Sequence, residues 1–168
     1  SELMNFSQVQ TEGSKVMHKY GHLLDKKNRI RTLAIHIRRG DFKLRANDKS
    51  LGVISEKSYV SLIKKIKDDN PDLNIFTFTD DDKLLEEFQN RELFGTILGM
   101  ELSPLETLSF MARTNFLITA NSSLSWWAAF LNFNNGGKVF TPKKFYRSID
   151  TYDAFNYPGF GHFKSVFI

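Results

Sequence analysis

The sequence contains no cysteine, which excludes a disulfide scaffold and any cysteine-ligated metal and fits a reducing compartment. No apolar run approaches the roughly 18 residues that a membrane-spanning helix needs. Dense basic runs are missing as well. The positive residues are spread among acids, apart from short pairs such as Lys26-Lys27 and Lys64-Lys65. A net charge of +4 therefore points to a small anionic ligand held by a few placed cations, and away from nucleic acid. Internal repeats and low-complexity linkers are also absent.

What is there suits one globular domain: 168 residues, 41% hydrophobic and 25% charged, with 16 phenylalanines for core and cleft. Residues 1–28 are polar and weakly periodic, and read as a helical or linker segment ahead of a domain over 29–168. Thr32 to Ile37 reads as a buried strand, followed by a charged loop from Arg38 to about Gly52. Ser55 can cap a helix whose apolar positions Tyr59, Leu62, Ile63 and Ile66 keep helical spacing. A second strand, Leu73 to Thr79, runs into Asp80, Asp81 and Asp82, which head a short helix from Lys83 to about Gln89.

Thr96 to Leu98 is a weak strand, and Ser103-Pro104-Leu105-Glu106 has the form of a capping box opening a helix to about Arg113. Phe116 to Thr119 is a strand, Leu124 to Leu131 a helix, and Lys138 to Phe140 the last strand expected, before an irregular aromatic tail from Lys143. Strands alternating with helices predict an α/β fold, a Rossmann-like parallel sheet with helices on both faces. Such sheets bind ligands in the crevice at the carboxyl ends of their strands. Three polar clusters fall there, after Ile37, Thr79 and Thr119.

In the first cluster, Arg38 and Arg39 lie on an extended segment and point opposite ways. A guanidinium forks onto two phosphate oxygens, so Arg38 is assigned to a diphosphate and Arg39 to an internal carboxylate. His36 has the parity of Arg38 and can add a hydrogen bond. A structural ion-pair knot with His36 in the core is the competing reading, and the residues alone leave both open. Arg39-Gly40-Asp41 also spells an adhesion tripeptide, but at a strand end where an exposed flexible loop is not expected.

The acids of the second cluster, Asp80 and Asp81, would repel phosphate. They are expected to orient the arginines or to meet hydroxyl and amine groups of the ligand, the alternative being N-capping, which is all that is read for Asp82. The third, Ala120-Asn121-Ser122-Ser123, puts small residues and hydroxyls at a helix start, where free N–H groups and the helix dipole favour an anion. An ordinary Ser cap is the alternative. Leu124, Trp127, Ala128 and Leu131 form an apolar stripe, and Trp126, Ala129 and Phe130 fill the rest, which predicts a helix buried all round. Asn121 heads a glycosylation sequon, but a buried helix start is a poor acceptor.

Three strings, His36-Ile37-Arg38-Arg39-Gly40-Asp41-Phe42, Phe78-Thr79-Asp80-Asp81 and Ala120-Asn121-Ser122-Ser123-Leu124-Ser125-Trp126-Trp127-Ala128-Ala129, resemble the motifs of the α-1,2-fucosyltransferases. The first is shared with α-1,6- and protein O-fucosyltransferases, while the third resembles the bacterial α-1,2 branch. The resemblance runs from about Leu33 to Phe145. It implies a GT-B architecture, with this chain as the C-terminal, GDP-sugar-binding half and an N-terminal domain missing from it. It implies inverting transfer of L-fucose from GDP-β-L-fucose to a hydroxyl of a glycan acceptor, with no cofactor and no required metal. A cytoplasmic location follows, with peripheral membrane attachment as a variant, and a role in polysaccharide biosynthesis.

Residue by residue, the resemblance places His36 and Arg38 on the diphosphate, with Asn121, Ser122 and Ser123 as further donors. Arg39 would pair with Asp80 or Asp81, Asp41 would fix the motif loop beside the reacting groups, and Trp126 and Trp127 would support the site. A base for the acceptor hydroxyl would come from the region Asn47 to Glu56 or from the other domain. Two features depart from the family. Its glycine-rich N-terminal segment is absent, and the acid that reads guanine is displaced: Glu106 precedes the matching position, Thr107, and can equally be the capping partner of Ser103. The rival readings are a fucosyltransferase of another linkage, a non-catalytic GDP-sugar-binding module, and an RNA- or membrane-surface-binding domain.

Overall fold

Six parallel strands form one sheet among the described residues, and the order in which they lie decides where a ligand can sit. The computed structural model describes residues 6–25, 27, 30–40, 54–81, 83, 86–98, 101–142 and 164–166. The strands are β1 (Thr32–Ile37), β2 (Asn74–Thr79), β3 (Thr96–Leu98), β4 (Phe116–Ile118), β5 (Lys138–Pro142) and β6 (Lys164–Val166). The helices are α1 (Phe6–Leu24), α2 (Glu56–Asp69), α3 (Pro104–Met111) and α4 (Ser123–Asn134). Strand order is β3-β2-β1-β4-β5-β6, with every neighbouring pair parallel. This is the doubly wound Rossmann order. After β3 the chain crosses back through α3 to β4, beside β1, so the winding reverses between β1 and β4 and opens a crevice at their carboxyl ends.

All six residues of β1 are buried, as the central strand of a sheet covered by helices on both faces requires. Alternation divides them. Leu33, Ile35 and Ile37 pack with Tyr59, Leu62, Ile63 and Ile66 of α2 on one face. On the other, Ala34 packs with Phe76, Leu108, Phe110, Leu117 and Ala128, under α1, α3 and α4. Burying each such large side chain contributes about 1.5–3 kcal/mol. α2 begins where expected, with Ser55 Oγ accepting from Ser58 N at 3.2 Å. α3 has the full capping box: Glu106 N donates to Ser103 Oγ, and Ser103 N to the Glu106 carboxylate at 2.8 Å. α1 packs along α3, burying Val16 and Leu24, with Tyr20 edge-on to Phe110. No helix among the described residues is long and apolar enough to cross a membrane.

Two expectations are corrected, and a third, the short helix from Lys83 to about Gln89, falls partly outside the described residues; a 3-10 turn, Arg91–Phe94, follows that stretch and buries Phe94. Lys138–Pro142 is not the last strand, because β6 pairs beyond it. And α4 is not buried all round. Its buried stripe is Ser125, Ala128, Ala129 and Asn132, while Trp126, Trp127 and Phe130 are half-buried. Small residues win the inner face because only they let the helix approach the sheet closely.

Candidate functional site

The three polar clusters meet at the carboxyl edge, from β1, β2 and β4. Asp80, just past β2, organises the first two. Its Oδ1 accepts from Arg39 N at 2.9 Å and Gly40 N at 3.1 Å, and its Oδ2 pairs with Arg38 Nε at 3.1 Å. Gly40 is required by this closeness: a Cβ there would lie 2.9 Å from both the backbone oxygen and Oδ2 of Asp80. Arg38 is partly exposed at the edge of the crevice, with its guanidinium oriented by Asp80.

Arg39 turns to the α2 face, as alternation demands, but its partner differs from the one expected. Its Nη2 donates to Ile54 O at 2.9 Å, and its guanidinium lies over the Phe88 ring at 5.1 Å. Of the two acids expected to pair with its guanidinium, Asp80 or Asp81, Asp80 is the ion-pair partner of Arg38 and meets Arg39 through the backbone N–H, so the pairing is corrected. Asp81 serves a turn, accepting from Lys83 N while its own N–H donates to Thr79 Oγ1.

His36 is buried on the opposite face of β1, where Nδ1 is hydrogen-bonded to Ser125 Oγ. Burial pushes its pKa down to about 4, with Asp80 opposing and Arg38 adding to the shift, so the ring is neutral near pH 7. Ser125 Oγ also accepts from Ala120 N at 3.0 Å, which ties the end of β1 to the turn entering α4. Ser125 was not singled out in the sequence. The signal that could have found it is its place in the first turn of α4, opposite the His36 strand end, and that needs the strand order.

At the start of α4, Asn121 is buried, Ser122 is half-buried and Ser123 exposed. Ser122 is the N-cap residue, yet its side chain makes no capping bond. The ordinary Ser cap is therefore not what this helix uses, and its first-turn N–H groups face the crevice end of the sheet. Trp126 and Trp127 stand edge to face at 5.0 Å, on the half-exposed side of α4.

Two candidates behave differently. Glu106 is committed to its cap: the Ser103 hydrogen bonds, backbone first, hold its carboxyl below the usual range, helped by Lys15 and Lys19 against burial. Glu56, in the region considered for a base, accepts from Asn90 N at 2.8 Å and Asn90 Nδ2 at 3.1 Å. Burial would raise its carboxyl, but those bonds and Arg39 lower it. Asp41 and residues 47–53 lie outside the described residues. Among the described residues no group of three His, Asp or Glu could hold a metal. A cavity of about 600 Å³ lies elsewhere, at the amino-terminal edge between α2 and β4–β5, lined by Arg31, Lys65, Phe116, Lys138 and Phe140 among others. It contains no residue of the three clusters.

Strand order, switch point and a helix start that Ser122 does not cap define a doubly wound α/β domain of the Rossmann class, with an anion-suited crevice between β1 and β4. Within that class the chain belongs to glycosyl transferase family 11, whose family model matches residues 10–155. It is 28% identical over 116 residues to an alpha-1,2-colitosyltransferase of Escherichia coli, covering 66% of this chain and 40% of that protein. It is 32% identical over 118 residues to the Escherichia coli O-antigen biosynthesis glycosyltransferase WbnK, covering 68% and 39%. The chain thus spans about two-fifths of the length of these curated relatives. A crystal structure of POFUT1 in complex with GDP shares the fold, with a TM-score of 0.54 at 12% identity, over 76% of this chain and 46% of that one.

Proposed function

We propose that this chain is the donor-binding half of a GT-B enzyme that transfers L-fucose from GDP-β-L-fucose to a sugar hydroxyl, with inversion and in α-1,2 linkage. The observation that carries this reading is the convergence at one switch point of Arg38, oriented by Asp80, and the start of α4, which the Ser122 side chain does not cap. Family membership, the relatives that act in α-1,2 transfer and O-antigen biosynthesis, and the fold shared with a GDP complex support it.

As the fucosyl bond loosens, negative charge grows on the departing GDP. Arg38 and the N–H groups at Ser122 and Ser123 are pre-aimed donors for that charge, and removing one such donor typically costs on the order of 10²–10³ in rate. These groups supply the positive charge without a metal, so EDTA is expected to leave transfer by the whole enzyme unchanged. The base that activates the acceptor hydroxyl would come from the region Asn47 to Glu56 or from the other domain, which would also carry most of the contacts to the acceptor glycan.

Calorimetric titration with GDP-fucose and GDP-mannose tests the reading. GDP-fucose is expected to bind, with Arg38→Ala lowering affinity at least tenfold; equal affinity in both proteins would remove Arg38 from the diphosphate. The colitosyl relative supports a second reading, in which the transferred sugar is colitose and the GDP site is the same. Product analysis with both donors separates them.

A further inference from the structure

Ser125 is fully buried in the first turn of α4 and reaches two groups across the switch point. Its Oγ accepts the Ala120 N–H at 3.0 Å and is hydrogen-bonded to His36 Nδ1. Together these two bonds decide where the protons are. A serine hydroxyl has one proton to donate and lone pairs to accept with. The backbone amide of Ala120 can only donate, so Oγ is the acceptor in that bond. Among the described residues, His36 Nδ1 is the one acceptor recorded for the Ser125 hydroxyl. Were the proton on Nδ1, the hydroxyl would be a buried donor with nothing to bond, an arrangement that folded proteins avoid. The hydroxyl therefore donates to Nδ1. Burial keeps the ring uncharged, so its single proton resides on Nε2.

We propose that Ser125 is a positioning residue that holds His36 as the Nε2–H tautomer, so that the imidazole offers the donor's diphosphate an N–H and not a lone pair. This rests on the reading that the diphosphate lies in the β1–β4 crevice. The chemistry is one-sided: a lone pair would repel phosphate oxygens, whereas an N–H bonds them without the cost of burying a charge. Ser125 also holds Ala120 N, so one hydroxyl orients the imidazole and braces the turn that starts α4.

Long-range ring correlations in ¹⁵N-histidine NMR read the tautomer directly in the ligand-free chain. The Nε2–H pattern is expected for His36 at neutral pH; an Nδ1–H pattern or an even mixture overturns the proposal. Ser125→Ala is expected to lose the fixed tautomer and to weaken GDP binding roughly tenfold, the loss of one hydrogen bond to a charged group, while guanosine binding is unchanged. Ser125→Thr keeps the hydroxyl and is expected to restore both readouts. Unchanged GDP affinity in Ser125→Ala, with the tautomer altered, overturns the link to the ligand. A wild-type chain that fails to bind GDP overturns the donor reading itself, and the NMR pattern still decides the tautomer.

Discussion

Asp80 accepts from three groups at the exit of β1, and so sets the path of the backbone at Arg39 and Gly40 as well as the direction of Arg38. Asp80→Asn keeps an acceptor but loses the charge; we expect GDP affinity to fall about tenfold with the unfolding midpoint little changed. Gly40→Ala is expected to cost at least as much, because its Cβ would meet Asp80 backbone, which cannot rotate away. His36 makes a prediction about pH. Its folded pKa is depressed to about 4, below the ordinary 6.5, so between those values the unfolded chain binds the extra proton. Stability from this group is complete above about pH 6.5, declines as pH falls, and is lost by about pH 4, by roughly 3 kcal/mol at 1.36 kcal/mol per unit. Urea unfolding from pH 7 to 4 would show this slope in the wild type, and a shallower one in His36→Gln.

At the scale of elements, α4 shows how packing chooses among residues that pattern alone treats alike. A plot of apolarity selects Leu124, Trp127, Ala128 and Leu131 for the inner stripe, whereas the fully buried positions are Ser125, Ala128, Ala129 and Asn132, with Leu124, Trp127 and Leu131 only partly buried against the core. Asn132 earns its burial through Nδ2, which donates to Met111 O at 2.8 Å and Thr114 O at 2.9 Å and thereby locks α4 to the end of α3. Asn132→Leu removes the donor to Thr114 O and leaves Met111 O with Thr114 Oγ1 alone, and chemical denaturation is expected to read a loss of about 1–3 kcal/mol. The α3 capping box was legible in four consecutive residues, since both of its bonds are local. Ser103→Ala should lower stability by about 1 kcal/mol, with GDP binding unaffected.

For the whole molecule, strand order is what turns three separated motifs into one site, because β1 and β4 are neighbours although about 80 residues of sequence lie between them. The +4 charge does not need a nucleic-acid partner once Arg38 has a ligand to meet. We expect no saturable RNA binding at physiological salt in a filter or fluorescence assay, since that binding would require many phosphate contacts and the sequence has no dense basic run to make them. Spanning about two-fifths of its relatives, the chain is expected to bind the donor but to need the remainder for transfer. Activity assays on this chain and on a full-length relative test that directly.

The amino-acid sequence by itself determined the local features: the periodicity of α2, the caps at Ser55 and Ser103, the apolar core of β1, and the three polar strings at strand ends. These depend on neighbours a few residues apart, so they are visible in order along the chain. The tertiary structure alone decided which arginine meets which acid, that Ser122 does not cap its own helix, and that His36 answers to Ser125 across 89 positions. Those depend on which strand lies beside which, and on how closely a helix can approach a sheet. Neither quantity is carried by any short stretch of residues.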